Sequence, residues 1–387
     1  MTKFVISNRA AKWLFLHKHL LTERSNHSLI EADVLALVRR LGFVQLDSIS
    51  TVERAHHMIL HSRAAGYKHE TLSELHQRGT LFEHWTHDAS LLPVEFYPHW
   101  QHRFRAFKTG FSHDRWSGFE TDPQKLLAHV RRRIRKEGAL ASRAFEDKPR
   151  GPWWGWGPYK TALEYLFRTG ELAIARRNGF EKVYDLSERV IPSAVRTVKP
   201  SRRQTVEWAC REALERLGFG SARQIANFFE VINIGEARDW LNSALQKKQV
   251  QEVGVTADDG SVYSSFSLPT VEADIASLPP VQSRLRLLSP FDPAIRDRKR
   301  ALRLFGFDYT IEVFAPAEKR RYGYYVMPIL EGNNFIGRID LKVHRAEKRI
   351  EVKGLWPEAN VDFDRRRKQG IEAALAELLV FACRSYL

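Results

Sequence analysis

The sequence is poor in cysteine and in long apolar runs. Its 387 residues include two cysteines, Cys210 and Cys383, which is too few for a disulfide framework or a zinc ribbon. No stretch approaches the length of a membrane-spanning helix, and the opening residues MTKFVISNRAAKW lack the apolar core of a signal peptide. These absences lead us to expect a protein of the reducing cytoplasm.

Acidic residues are also in deficit, with 46 aspartates and glutamates against 61 lysines and arginines and a formal net charge of +15. This surplus favours a polyanionic partner, and the missing membrane segment favours nucleic acid over an anionic membrane. One basic run is usually a solvated face, whereas several runs fit a surface that follows phosphates. The candidates for phosphate contact in these runs are Arg131, Arg132, Arg133, Arg135, Arg298, Arg300, Arg320 and Arg321.

A helix, helix, helix, hairpin pattern recurs along the chain, most clearly over residues 204–267. The first helix ends at Gly218, Ser221 caps the second, and residues 234–249 form the third. A hairpin then turns at Asp258-Asp259-Gly260. This order is typical of a winged helix, a relative of the helix-turn-helix.

Two further segments follow this pattern. The copy over 122–187 starts a helix at Asp122 and closes with a hairpin at Asn178-Gly179. A looser first copy has two helices with Ser7 and Ser28 as caps, and TLFEHWTHDASLLP as its wing. Repeated modules of this kind are most often used to bind nucleic acid, although they also mediate protein contacts.

From Leu285 onward, short strands with a turn at Gly332-Asn333 and a final helix predict a small antiparallel sheet or partial barrel with one covering helix. The predicted fold class is therefore α+β, with three winged-helix modules and a β-rich C-terminal domain. The predicted bounds are 1–115, 116–200, 201–280 and 281–387.

The stretch GFVQLDSIS, residues 42–50, alternates polar and apolar residues and predicts a strand in the first module. On a strand, Gln45 and Asp47 point the same way, about 6.5 to 7 Å apart. An amide and a carboxylate at that spacing can orient a water molecule and accept its proton. A surface strand with a solvated polar face is the plainer interpretation, and spacing alone favours it.

Other residues with potential chemistry have equally plain alternatives. The histidines could hold zinc, but packing, capping or phosphate contact explains them without a metal. The tryptophans of PWWGWGPYK, residues 152–160, could stack on bases, although packing between modules is favoured. Asp292 in the PFDP turn could be catalytic, but an aspartate there more often caps its own turn. The histidines concerned are His56, His57, His61, His84 and His87.

Five motifs lie in different parts of the chain: GFVQLDSIS, EHWTHDASLLP, WWGWGPYKTALEYLFRTGELAIARR, LLSPFDPAIRDRKRALRLFGFDYTIEVFAPAEKRRYGYYVMPIL and FIGRIDLKVHR. Together they resemble the AlkZ/YcaQ family of winged-helix DNA glycosylases. The family's catalytic signature is glutamine, an apolar residue, then glutamine or aspartate. Gln45, Leu46 and Asp47 resemble the YcaQ-like (AlkX) branch and depart from the AlkZ branch, in which the last residue is glutamine.

The resemblance implies an enzyme that excises N7-alkylated purines from double-stranded DNA and unhooks interstrand crosslinks, with no metal and no cofactor. Gln45 and Asp47 would be catalytic, and His84 and His87, which lie in a family motif, would support the site. A hairpin around Gly337, Arg338 and Asp340 would approach the duplex. We expect a bacterial, cytoplasmic monomer that is nucleoid-associated when it is bound to DNA.

No lysine adjoins the signature, since the nearest in sequence are Lys18 and Lys68. A Schiff-base lyase step is therefore not indicated, although folding could bring an amine close. The main alternative to an enzyme is a winged-helix transcriptional regulator, which would share the fold and the charge. A protein scaffold that does not bind nucleic acid fits the charge poorly.

Overall fold

The computed structural model describes residues 4–110, 122–145 and 157–384. The tryptophans of PWWGWGPYK therefore lie outside the described residues. Among the described helices, none is both long and apolar enough to cross a membrane. The α-helices are α1 Asn8–Lys18, α2 Glu31–Leu41, α3 Ala55–His61, α4 His69–Gln77, α5 Tyr97–Gly110, α6 Pro123–Glu137, α7 Pro158–Arg168, α8 Ser187–Val190, α9 Ser193–Arg196, α10 Arg202–Leu217, α11 Ala222–Phe229, α12 Ile234–Gln246, α13 Val271–Ala276, α14 Pro293–Arg296, α15 Arg298–Phe305 and α16 Arg365–Arg384.

The strands are short and form several small sheets, so the predicted α+β class is confirmed. They are β1 Val5–Ile6, β2 Ser25–Ser28, β3 Val44–Gln45, β4 Ala64–Gly66, β5 Leu81–Trp85, β6 Ala89–Pro93, β7 Leu140–Ala141, β8 Leu172–Asn178, β9 Glu181–Leu186, β10 Phe219–Gly220, β11 Gln251–Thr256, β12 Val262–Ser267, β13 Leu285–Leu287, β14 Val326–Glu331, β15 Asn334–His344 and β16 Arg349–Pro357.

The chain divides into two compact units. The first comprises Met1–His69, Cys210–Phe228 and Asn233–Leu387, and the second comprises Glu70–Ala209 and Phe229–Ile232. The first unit contains the sheet β1-β11-β12-β10, the sheet β13-β14-β15-β16 and the parallel pair β2-β4, and the second contains the sheet β7-β9-β8. The four-part division predicted from the sequence is finer than this one and stays a prediction.

The elements predicted over 204–267 are all present, in the predicted order. Ser221 caps α11, because its hydroxyl accepts a hydrogen bond from the Gln224 N–H at 3.4 Å while the Gln224 amide oxygen accepts one from the Ser221 N–H at 3.0 Å. Strands β11 and β12 pair antiparallel, and Gly260 has a φ of +83° at their turn, which favours glycine.

In the segment over 122–187, the outer helices α6 and α7 and the hairpin form as predicted, whereas residues 140–144 form strand β7 and one 3-10 turn where the second element was expected. Asp122 caps α6, because its carboxylate accepts a hydrogen bond from the Gln124 N–H at 2.9 Å. Asn178 pairs with Glu181, so the hairpin loop lies one residue later than predicted, at Gly179 and Phe180. Residues from α6, α7 and both hairpin strands share one core with Phe145: Leu126, Leu127, Val130, Ile134, Ala162, Leu163, Leu166, Phe167, Leu172, Ile174, Tyr184 and Leu186.

The first copy required one correction. Ser7 caps α1 as predicted, but Ser28 lies in strand β2, paired with Gly66, and caps no helix. Helix α2 instead begins at Glu31, where the Asp33 carboxylate accepts a hydrogen bond from the Ile30 N–H at 3.1 Å. The segment TLFEHWTHDASLLP forms the antiparallel pair β5 and β6, as predicted.

The C-terminal strands form one antiparallel sheet, and helix α16 packs against β13. The turn between β14 and β15 is Gly332-Asn333, as predicted, because Glu331 pairs with Asn334. Residues 337–340 were expected to lie around a hairpin that reaches DNA. They are buried within β15, which pairs antiparallel with both β14 and β16, and the turn between β15 and β16 is residues 345–348, of which 346–348 are exposed. The approach of this hairpin to DNA stays a prediction.

A buried ion pair joins residues 63 and 292 inside the first unit. The Arg63 guanidinium donates to both carboxylate oxygens of Asp292, at 2.6 and 2.9 Å, and both side chains are 0% exposed. Asp292 also accepts a hydrogen bond from the Ala294 N–H at 3.0 Å and so caps α14. Its carboxylate is fully used inside the protein, so its role is structural and not catalytic.

We predict that Asp292→Ala lowers the free energy of unfolding by about 3 to 5 kcal/mol, because Arg63 would remain buried without its counter-ion. Thermal melting would measure the loss. The double variant Arg63→Met/Asp292→Leu is the control, and it should recover much of the lost stability because it removes both charges together. A single variant that melts like the wild type would contradict this account.

Candidate active site

Gln45 and Asp47 lie at the end of one short strand, not within a long one. Helix α2 ends at Gly42, whose φ is +87°, and the chain then forms the two-residue strand β3. Gln45 is 3% exposed, and Asp47 is half-buried two residues later. The predicted strand over 42–50 is therefore wrong beyond Gln45.

The chain leaves the strand because Asp47 turns its own backbone. Its carboxylate accepts a hydrogen bond from the Ile49 N–H at 2.8 Å, the usual way in which an aspartate forms a turn. Residues 46–54, which we call the 46–54 loop, contain neither helix nor strand. Of the predicted pair, Gln45 is thus a buried amide on a strand, and Asp47 is a half-buried carboxylate in a turn.

A second carboxylate follows in the same loop, and the sequence interpretation missed it. Glu53 is buried, and it accepts a hydrogen bond from the Arg54 N–H at 2.7 Å. Arg345 and His69 each lie 3.5 Å from its carboxylate. Burial opposes ionisation of Glu53, but the hydrogen bonds from His69 and from the Arg54 backbone outweigh it and lower the pKa to about 2.

Tyr325 is a buried neighbour of both carboxylates. Burial raises the pKa of its phenol, and the negative charges of Asp47 and Glu53 add to the shift. The phenol therefore stays neutral and keeps a proton that it can donate. The backbone N–H of Tyr325 donates to the Asp340 carboxylate at 3.1 Å, which fixes the tyrosine at the start of β14.

Four histidines of the first unit pack on one another and on Phe381. The rings of His56 and His57 are 4.2 Å apart, and those of His57 and His69 are 4.3 Å apart. His61 stacks on Phe381 at 3.9 Å. No group of three potential metal ligands comes together among the described residues. Packing thus accounts for most of the ring contacts of this cluster.

His84 and His87 belong to the second unit. His84 is buried, with its ring centre 5.0 Å from that of Phe104 and 4.8 Å from that of Phe167. Burial, and then the charges of Arg103, Arg168 and Lys182, hold its pKa well below the usual value, so this imidazole is neutral. His87 is half-buried, 3.3 Å from the Asp88 carboxylate. A supporting role of His84 and His87 for Asp47 stays a prediction.

The predicted phosphate contacts separate into exposed and internal arginines. Arg132, Arg135 and Arg321 are exposed, while Arg131, Arg133 and Arg320 are half-buried. Arg131 pairs with Glu171 at 2.6 Å, and Arg133 pairs with Glu137 at 2.8 Å. A cavity of about 310 Å³ has Arg131, Arg135 and Arg196 in its lining, together with Glu171 and Glu188.

Arg300 and Arg338 are buried, and we withdraw them as phosphate contacts. Arg300 donates to the carbonyls of Leu217 and Phe219, and Arg338 pairs with Glu358 at 2.6 Å. Arg298 is half-buried over the Tyr309 ring and donates to the carbonyl of Ile295 at 2.9 Å. These guanidinium groups hold the protein's own backbone, which the pattern of charge along the sequence could not reveal.

Comparison with known proteins gives two similarities. The model of the AlkZ-like family, described as DNA glycosylase AlkZ-like, matches residues 38–381. The solved structure of the DNA glycosylase AlkZ from Streptomyces sahachiroi superimposes with a TM-score of 0.63 at 15% sequence identity, over 98% of this chain and 97% of that one. At this identity the structural similarity shows the fold, and the family match covers most of the chain.

The buried histidines predict how stability depends on pH. Burial lowers the pKa of both His19 and His61 to about 3. The unfolded chain therefore takes up protons near pH 6.5 while the folded protein does not, so stability falls as the pH drops below 6.5. Each such histidine should cost about 1.4 kcal/mol per pH unit.

We expect the melting temperature to fall steadily from pH 6.5 to 4.5. Glu53 adds no loss in this window, because its stabilisation is lost only as the pH falls below its ordinary value of 4.5 toward about 2. His19→Gln removes one titrating group and should flatten the slope. A melting temperature that stays constant over this range would refute the neutral assignment.

Proposed function

This chain belongs to the AlkZ-like family of DNA glycosylases, and on that premise we propose that it hydrolyses the N-glycosidic bond of N7-alkylated purines and unhooks N7-linked interstrand crosslinks. Family membership makes the enzyme a hydrolase that acts on DNA, and it does not favour the alternative of a non-enzymatic regulator. The observation that carries the proposal is the Gln45-Leu46-Asp47 signature, in which a half-buried carboxylate follows a buried amide by two residues.

The proposed reaction needs one carboxylate and no general acid. Alkylation at N7 makes the purine cationic, so the base leaves as a neutral molecule when the bond from C1′ to N9 breaks. The sugar then carries positive charge, which the Asp47 carboxylate stabilises. A water oxygen attacks C1′, and Asp47 accepts the proton that this water loses.

In this proposal Gln45 positions the attacking water molecule. Its side chain is buried on a strand, so its amide is held more rigidly than one on an exposed loop would be. An amide both donates and accepts hydrogen bonds, and it can orient the water that Asp47 deprotonates. Asp47 is more exposed than Gln45, as a group that must meet the substrate should be.

The proposed DNA surface is built from winged-helix modules and their basic residues. The helix, helix, helix, hairpin order over 202–267 and the exposed Arg132 and Arg135 of the second unit support it. We propose double-stranded DNA as the partner of a monomer. Because Asp47 lies in a half-buried turn, the site suits adducts that are not enclosed in a deep pocket, including the bulky bases of crosslinks.

The first test is removal of the Asp47 charge. Asp47→Asn should slow release of N7-methylguanine from duplex DNA by roughly a hundredfold or more, since one stabilising group is worth about 3 kcal/mol. Affinity for undamaged duplex should stay within about twofold of the wild-type value. Single-turnover assays and DNA titration measure the two quantities.

Asp362→Asn is the matched control, because Asp362 is exposed and its loss changes the net charge equally. It should excise at the wild-type rate. If Asp47→Asn also excises at that rate, Asp47 is not catalytic. If the wild-type protein releases no base from DNA with N7-methylguanine or an N7 crosslink, the proposed substrate class is wrong.

We further predict that the product strand is abasic and intact. No lysine adjoins the signature, and the Lys18 amine is ion-paired with Asp274 at 2.7 Å. Borohydride reduction during turnover should therefore yield no covalent protein–DNA adduct. Trapping at stoichiometric yield would instead identify an amine nucleophile and overturn the water mechanism.

A further inference from the structure

The 46–54 loop is held by residues from the far end of the chain. The Val343 N–H of strand β15 donates to the Thr51 carbonyl at 2.9 Å. Just past the end of that strand, Arg345 donates to the Ser50 carbonyl at 3.0 Å and to the Val52 carbonyl at 2.6 Å. Three successive carbonyls of the loop are thus fixed by one strand and one side chain.

Arg345 also lies beside a buried carboxylate of the same loop. Its guanidinium lies 3.5 Å from the Glu53 carboxylate, which is 3% exposed. We call the contacts of Arg345 with Ser50, Val52 and Glu53 the Arg345 bridge. A planar guanidinium can donate to several acceptors at fixed angles, whereas a lysine ammonium is a single point of charge.

We propose that the Arg345 bridge positions Asp47 for the reaction by tying the 46–54 loop to the β15–β16 hairpin. Ser50, the first bridged residue, is three positions from Asp47 in the sequence. Lys348 in the turn of this hairpin, Lys342 in β15 and Lys353 in β16 are exposed cations that suit phosphate contact. Arg345 acts through Asp47 and is therefore a positioning residue.

The inference rests on the proposed function, since it takes Asp47 as the reacting carboxylate. The bridge links two sets of groups that a glycosylase must bring into register, the phosphate contacts and the carboxylate near C1′. A shift of about 1 Å in a reacting group can cost roughly a hundredfold in rate. Loss of the bridge should therefore lower the excision rate more than it lowers DNA affinity.

The test compares Arg345→Met with the wild type in single-turnover excision of N7-methylguanine, at saturating protein and well below the melting temperature. The expected result is a rate per folded molecule that is about 10- to 100-fold lower, with affinity for undamaged duplex within about twofold. Arg345→Lys should recover little of the rate, because an ammonium keeps the charge near Glu53 but cannot reproduce the planar contacts with two carbonyls.

Arg189→Met is the matched control for a purely structural role. Arg189 donates to the Ile134 and Arg135 carbonyls at 3.1 and 2.8 Å and pairs with Asp185 at 3.2 Å, so its chemistry is the same, but it lies in the second unit. Its loss should lower the melting temperature and leave the rate per folded molecule unchanged. If Arg345→Met behaves in this way too, the inference is wrong.

A double-mutant cycle tests the part played by Glu53. If Arg345 and Glu53 act through one contact, the rate loss of Arg345→Met/Glu53→Gln should fall short of the product of the two single losses. Losses that multiply would remove Glu53 from the bridge. Should Arg345→Met fail to fold, Arg345→Lys carries the test, and full activity in that variant overturns the inference.

Failure of the inference and failure of the proposed function are distinguishable. A wild-type protein that releases no base, or an Asp47→Asn variant that excises normally, contradicts the proposed function. A wild-type protein that excises, together with an inactive Asp47→Asn and a fully active Arg345→Met, contradicts the inference alone.

Discussion

The 46–54 loop depends on the requirement that the polar groups of a buried backbone be paired. The loop forms no helix or strand, so its carbonyls need donors from elsewhere. Residues 343 and 345 supply those donors to three successive carbonyls. The backbone that follows Asp47 is thereby held by a sheet from another part of the chain.

The basic character of the protein serves two purposes. Some arginines lie inside and hold the fold: Arg63 pairs with Asp292, and Arg300 donates to carbonyls around residue 218. Others, such as Arg132 and Arg135, are exposed and remain suited to phosphate. Because internal guanidinium groups count in the net charge of +15 but do not meet DNA, the total overstates the charge that the surface offers.

Local signals in the sequence predicted much of the fold. Caps such as Ser221 and Asp122, and turns such as Gly332-Asn333, act over a few residues and are readable without tertiary information. The prediction of a strand over 42–50 was wrong because the alternation of polar and apolar residues does not reveal that the Asp47 carboxylate accepts a hydrogen bond from the Ile49 N–H. The Arg345 bridge could not be predicted, since no pattern in the sequence pairs residues nearly three hundred positions apart. The burial of Arg338 could not be predicted either, because a charged residue is expected to be exposed unless it has a partner, and the sequence does not show that Glu358 is that partner.

The long sequence separation between Arg345 and the loop residues it contacts has a consequence for synthesis of the protein. Arg345 and Ser50 are 295 residues apart, so the 46–54 loop lacks its final support until synthesis has passed Arg345. Nascent or truncated chains that end before residue 343 lack the donors that fix the carbonyls of Ser50, Thr51 and Val52. The order of synthesis thus separates the Gln45-Leu46-Asp47 signature from the donors that later hold the loop behind it.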